Sequence, residues 1–316
     1  MDPFERGVDE FLVSSESALR SGADPLGRLG WEELLPEIEG DLDARRAVFS
    51  LLRAQGRQLV TTAAPGLLMA LPYTPLLQVG APLPVATIEL CSPRRGRRFL
   101  VLGAPAGRPL LIDRSGLGPC LVAPADYGLA GVEMAGDAEL HDVVVDEGAL
   151  VPLVAEDDAA KYRVRSRLLG RWALSCDILG AAEVALDLAV AYAGDRRQFG
   201  QPIGTFQSVR HLLAAARVDC AAIEGLLGYM VERYPDVPAS YDKVVKAVAG
   251  RNGRRVSQHA LQTLGGIGFI TEHDFHRYQS RIVTLDALLG SSTRLAHQLA
   301  VESRRSGLTE LLPAFP

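Results

Sequence analysis

The sequence predicts an α+β protein in three parts: N-terminal helices, a small central β-sheet or barrel domain, and a C-terminal four-helix bundle. Three observations carry this. Four long stretches with apolar residues at helical spacing, 164–195, 206–233, 239–264 and 274–305, are separated by the breaks "FGQPIG", "YPDVP" and "GGIGF", whose Gly and Pro suit helix-to-helix turns. Between 85 and 151 the texture changes to short bursts rich in Val, Ile and Leu, divided by turn residues. Ahead of them "PYTPLLQVGAPLP" carries Pro72, Pro75, Pro82 and Pro84, too much proline for a helix or central strand. The boundaries read as 1–80, 81–155 and 156–316.

The first part predicts helices over 4–21, 31–36 and 42–71, the last broken around Gly56 and at Pro65. In the second, "VATIEL", "RFLVLGA", "PLLIDRS", "CLVAPA", "GVEMAG" and "LHDVVV" read as antiparallel strands. The short connections of the third imply an antiparallel bundle, with Trp172, Leu179 and Leu186 in its core.

Composition narrows the function. The chain has 316 residues, 48% of them apolar, enough to fill a core. A net charge of -5 without a long basic block excludes nucleic acid as the main partner. An acidic, amphipathic start and the lack of a long uncharged apolar run argue against a secretory leader or a membrane span, so a cytoplasmic protein is expected. Cys91, Cys120, Cys176 and Cys220 are scattered and read as reduced core residues. His259, His273 and His276 lack the spacing of a metal site, no metal is expected, and His211 among apolar neighbours reads as a packing residue or one with a local hydrogen bond. The cluster "SPRRGRR" reads as exposed hairpin charge, with contact to a ligand phosphate as the alternative.

The segment "QHALQTLGGIGF" raises its own question. Gly266-Ile267-Gly268 begins like a dinucleotide fingerprint, but that motif needs a strand before it, and a helical run precedes it here. A helix C-terminus explains the glycines, and a backbone without side chains also admits close approach of a phosphate or ribose.

With "DRRQFGQPIGTFQSVRH" following the first bundle helix, the chain resembles an acyl-CoA dehydrogenase over nearly its whole length. The resemblance is strongest in R-x-F-G-x-x-I-x-x-F-Q (Arg197, Phe199, Gly200, Ile203, Phe206, Gln207) and Q-x-x-G-G-x-G-F (Gln262, Gly265, Gly266, Gly268, Phe269). "LGWEELLPE" and "LLRAQGRQLVTTAAPGLLMA" resemble the family's opening helices. The family's FAD lies between two subunits, its ring on the β domain of one and its ADP end on the bundle of the other. The resemblance thus implies that Gln262, Gly265, Gly266 and Gly268 bring backbone to the ADP half, that Arg196 or Arg197 neutralises pyrophosphate, and that Phe199 and Gln207 lie beside it. The lesser reading of Arg196 is a cation complementing a helix C-terminus.

The family removes the α and β hydrogens of an acyl-CoA thioester, and a glutamate takes the α proton. At its commonest position, before a glycine in the last helix, this chain has Leu289 in "ALLGSSTRL"; at the second, before an arginine in the first bundle helix, it has Gly170 before Arg171. Neither accepts a proton. The β domain also lacks the family's opening segment that holds the flavin ring, with "TIELCSPRRG" as a degenerate remnant. This combination resembles the short, glutamate-lacking subunit of heteromeric acyl-CoA dehydrogenases of the steroid side-chain type. It implies a partner subunit that carries the glutamate, binds most of the acyl-CoA and passes electrons to an acceptor, with FAD shared between the two chains. Two alternatives stay open: a self-sufficient homo-oligomer with a relocated base, Asp286 ahead of Glu183 and Asp177, and a flavin-free scaffold. Asp286 also reads as a salt-bridge partner of Arg281.

Overall fold

A computed structural model of the chain describes residues 3–20, 25–92, 96–132, 138–146, 148 and 150–306. The N-terminal part holds α1 (Pro3–Arg20), α2 (Pro25–Arg28), α3 (Trp31–Leu34), α4 (Leu42–Gln58) and α5 (Ala64–Ala70). Asp41 starts α4, its carboxylate accepting the Asp43 N–H at 2.7 Å, and Leu59 ends it in a left-handed conformation, φ 53. Contrary to the sequence expectation, α4 runs unbroken through Gly56. Glycine serves there as a crossing point: a β-carbon on Gly56 would lie 2.0 Å from the Asp177 carbonyl oxygen, and one on Gly180 would lie 2.0 Å from that of Arg53. Two helix backbones meet face to face where neither has a side chain.

The central part has eight strands: β1 (Val85–Ala86), β2 (Ile88–Ser92), β3 (Gly96–Leu102), β4 (Leu110–Arg114), β5 (Gly118–Val122), β6 (Tyr127–Gly131), β7 (Leu140–Val145) and β8 (Val151–Pro152). They form two four-stranded sheets, ordered β1-β4-β5-β8 and β2-β3-β7-β6. The antiparallel expectation needs one correction. β1 pairs β4 in parallel, Val85 opposite Leu110, because the chain changes sheets at Thr87, between β1 and β2. Two glycines press this part against the helices: a β-carbon on Gly66 of α5 would meet Val85 Cγ1 at 2.5 Å, and one on Gly103 would meet the Thr62 carbonyl carbon at 2.5 Å. Gly103 meets backbone directly, and Gly66 leaves room for the Val85 side chain.

The C-terminal part is α6 (Ala160–Asp195), α7 (Gln207–Arg233), α8 (Tyr241–Leu264), α9 (Phe275–Ala287) and α10 (Ser292–Ser306), with a small hairpin, β9 (Arg197–Gln198) and β10 (Gln201–Pro202), after α6. The expected last helix is two: the chain breaks after Ala287, where Leu289 (φ 53) and Gly290 (φ 100) are left-handed. Trp172, Leu179 and Leu186 are buried as expected, and so are the free thiols Cys120, Cys176 and Cys220. Burial raises the thiol pKa of Cys176 and pushes that of Cys220 up to about 12, which keeps both protonated and unreactive. The Cys91 side chain lies outside the described residues. No helix among those residues is long and apolar enough to cross a membrane.

Charge is buried where helices meet α6. Arg281 of α9 donates twice to Asp177, at 2.7 Å each, with the two side chains 1% and 5% exposed. Arg53 of α4 bonds Glu183 of α6 and Glu224 of α7, and Arg57 joins Glu183 at 3.1 Å. Such pairs tolerate no loss of one member. The crossing itself is the more exacting contact. Gly180→Ala is expected to destabilise the chain by about 1–3 kcal/mol or more through overpacking, measured by urea unfolding. An unchanged midpoint would mean that the helices separate without cost.

Candidate functional site

At the end of the bundle where α6 and α8 finish and α7 begins, Ala185 and Ala189, Ala260 and Leu264, and Phe275 of α9 form one buried cluster, with Leu213 and Ile267 against it. Alanines let the helices approach closely. This seam brings the two motif-bearing turns to the same end of the bundle.

The Arg196 N–H closes α6 on the Tyr192 carbonyl at 2.8 Å, and the Arg196 carbonyl accepts from Ile203 at 2.8 Å. The hairpin turn between them places Phe199 (φ 52) and Gly200 (φ 80) in the left-handed region, as a two-residue turn of this kind requires. Asn or Gly relieves that strain, and phenylalanine does not. Phe199 is nevertheless 92% exposed, touched edge-on by Phe206 with ring centres 6.1 Å apart. Strain held in an exposed aromatic is a mark of function rather than of packing. Arg196, Arg197 and Gln207 are all exposed, and none of these side chains has a hydrogen-bond or ion-pair partner among the described residues.

The glycine turn divides into three roles. Gly265 (φ 61) ends α8, as the helix-terminus reading expects. Gly268 lets the turn fold back, since a β-carbon there would lie 2.7 Å from Leu261 Cδ1. Gly266 has an ordinary φ, is exposed, and has open space where its β-carbon would be. Among the described residues, nothing near Gly266 requires glycine there. Exposed Gln262, Phe269 and Ile270 flank the turn.

Far along α6 lies the second place singled out by the sequence. Gly170 and Leu289, 119 residues apart, converge: a β-carbon on Gly170 would lie 2.6 Å from Leu289 Cδ1 and 2.7 Å from Met69 Sδ. The two expected base positions therefore address one point in space, and that point is filled by a leucine and a methionine. Arg171 holds the turn that carries Leu289, donating from Nε to the Leu289 carbonyl at 3.0 Å and pairing with Asp242 at 2.5 Å. Behind it Lys246, 0% exposed, donates to the carbonyls of Asp286 at 3.0 Å and Gly290 at 3.5 Å.

The candidate replacement bases are all engaged. Asp286 accepts the Ser292 N–H at 2.9 Å and hydroxyl at 3.0 Å, with Lys246 at 3.7 Å and Arg254 at 3.4 Å. It caps α10 and does not pair with Arg281, which holds Asp177 instead. Glu183 is committed to Arg53 and Arg57. In "TIELCSPRRG" the Thr87 hydroxyl bonds the Leu111 carbonyl at 3.3 Å, and Glu89 pairs with Arg97 at 2.7 Å, which leaves neither for a flavin ring. Arg98 pairs with Asp142, and Arg94 and Arg95 lie outside the described residues. His211 is exposed on α7 rather than packed. His273 and His276 hydrogen-bond locally, to the Phe275 N–H and between themselves.

Sequence reasoning missed Met69, Lys246 and Gly250. Their signals were faint: a lone lysine among Val245, Ala247 and Ala249, and a mid-helix glycine one turn later whose β-carbon would fall 1.9 Å from Asp286 Oδ1.

Comparison with known proteins relates the chain to one family of enzymes by sequence and fold. Residues 164–302 match the family model "Acyl-CoA dehydrogenase, C-terminal domain". The chain is 30% identical over 246 residues to the acyl-CoA dehydrogenase FadE34 of Mycobacterium tuberculosis, covering 66% of this chain and 34% of that protein. It is 30% identical to FadE27 of the same organism over 207 residues, 59% of this chain and 54% of the relative. The chain thus spans about a third to a half of the length of these relatives. Among solved structures, a steroid acyl-CoA dehydrogenase of the pair Tcur3481–Tcur3483 superposes with TM-score 0.74 at 21% identity, covering 96% of this chain and all of that one. The ChsE4–ChsE5 complex of M. tuberculosis gives 0.70 at 20%, with 98% of each chain covered. Matched by sequence through residues 164–302 and by fold along its length, the chain is similar to acyl-CoA dehydrogenases and shares their fold.

Lys246 offers a test of the turn behind Leu289. Burial lowers its pKa from 10.5 to about 8, against the opposing pull of Asp286. The unfolded chain holds more protons between those two values, so this group makes stability rise with pH from about 8 upwards. In Lys246→Met the rise is expected to disappear from urea unfolding midpoints measured across that window. The same slope in both proteins would place the amine in contact with water.

Proposed function

We propose that this chain is a subunit of an FAD-dependent acyl-CoA dehydrogenase, and the non-catalytic one: its bundle end completes the cofactor site of a partner that carries the catalytic glutamate. The observation that carries the reading is the contrast between two ends of α6. At one, both base positions converge on Leu289 and Met69. At the other, a strained exposed phenylalanine, two arginines without side-chain partners among the described residues and an open glycine face outward.

Distance supports sharing. Gly170 and Asp195 are 25 residues apart on one continuous helix, about 38 Å at 1.5 Å per residue. A dinucleotide gripped at the Arg196 end does not reach this chain's own Gly170 slot. Its reactive ring belongs against another subunit.

FAD, when bound, supplies the hydride acceptor for the β hydrogen. This chain's part is to hold the ADP half: Arg196 or Arg197 on the pyrophosphate by charge-assisted hydrogen bonds, Gln207 and Gln262 as hydrogen-bonding partners, Gly265, Gly266 and Gly268 as backbone that comes close, and Phe199 as an apolar wall. Abstraction of the α proton needs a positioned carboxylate, which the partner supplies. The acyl-CoA and the electron acceptor are engaged mainly by the partner as well. The two-chain complexes among the structural neighbours favour this assembly, and the steroid acyl-CoA dehydrogenase among them points to a bulky acyl group.

Arg196→Ala and Gln262→Ala are expected to lower flavin retention in the co-purified complex. Losing a charge-assisted hydrogen bond, about 1.5–3 kcal/mol, weakens binding roughly ten- to hundredfold. Full flavin occupancy in both variants would remove the trans-binding role. Leu289→Glu alone is expected to give no dehydrogenation by this chain, since no ring cradle accompanies the restored acid; steady turnover with an acyl-CoA and an artificial acceptor would contradict that.

A further inference from the structure

The Gly170 slot is shut by more than a missing acid. Leu289 is a non-glycine residue in the left-handed region, φ 53, where a β-carbon crowds its own backbone, and it is followed by left-handed Gly290. Its side chain reaches Gly170 from the α9–α10 turn while Met69 closes from α5, 4% exposed. The turn is held from behind at three carbonyls, that of Leu289 by Arg171 and those of Asp286 and Gly290 by Lys246. The Asp286 carboxylate fixes the start of α10 through Ser292, and Gly250 leaves it room to do so.

We propose that the α9–α10 turn is a steric plug: Leu289, held in a strained conformation by Arg171 and Lys246, keeps the apolar slot between α5 and α6 closed to the acyl part of a thioester. The inference rests on the non-catalytic reading for its meaning. Its geometry stands without a partner or flavin. A chain that had merely lost its acid would be expected to leave a gap at Gly170, and here the opposing side chains lie closer than van der Waals contact to where a β-carbon would be. The ligand class excluded is apolar, because the slot's walls are Met69, Leu289 and the bare Gly170 backbone.

The chain has four methionines, of which Met69 lines the slot and Met230 is buried in α7, so methyl-labelled methionine gives a local probe and an internal control. The full chain is labelled and titrated with xenon as the apolar probe. In the wild type the Met69 methyl resonance, assigned by its loss in Met69→Leu, is expected not to move. In Leu289→Gly, which removes the plug and relieves the left-handed strain, it is expected to shift saturably while Met230 stays in place. Leu289→Ala provides the same reading if the glycine variant fails to fold, as judged by the Met230 signal. An equal shift in the wild type would mean the slot is open. No shift in either folded variant would mean that Leu289 is not what closes it. Both results overturn the plug without bearing on whether the bundle end grips flavin for a partner.

Discussion

The crossing of α4 over α6 at Gly56 and Gly180 is the contact on which the other arrangements rest. Because the two backbones touch, Arg53 and Arg57 come within reach of Glu183, and Arg53 reaches past it to Glu224 on α7. A few residues earlier on α6, Asp177 receives Arg281 and ties in α9. The helix thereby becomes a spine of 36 residues with different chemistry at its two ends. Close packing at its middle makes that division of labour possible, since neither end has to be sacrificed to hold the bundle.

The ends diverge for a physical reason. Around Gly170, Arg171 and Lys246 hold the carbonyls of the Leu289 turn, and the side chains of Leu289 and Met69 fill the space at the glycine. Around Arg196 the chain leaves cations and amides without partners and places a phenylalanine in a conformation that costs energy, an arrangement stability alone does not favour. A surface of that kind finds its compensation in something bound.

Much of this was legible in the sequence because it was local. The glycine turn, the hairpin motif and the long bundle helices announced themselves by spacing, and the absent acids at 170 and 289 by their flanking residues. What was illegible depended on distant neighbours. Gly56 reads as a breaker until α6 is seen against it, and Asp286 reads as a partner for Arg281 until Lys246 arrives from α8. The parallel pairing of β1 with β4 follows from a change of sheet at one residue, and two-residue strands carry too little alternation to reveal it. The break at Leu289 was hidden because leucine seldom takes a positive φ; the carbonyl bonds that hold it come from residues 118 and 43 positions away.

The claim at the centre of this account is that the chain contributes to a flavin site it does not complete alone. The direct test is to express it alone and together with the products of neighbouring reading frames, then to follow size-exclusion chromatography at protein and flavin wavelengths. A colourless chain alone and a yellow mixed oligomer, with less than one flavin per chain, is the expected result. A yellow oligomer of this chain by itself, with one flavin per subunit, would contradict it.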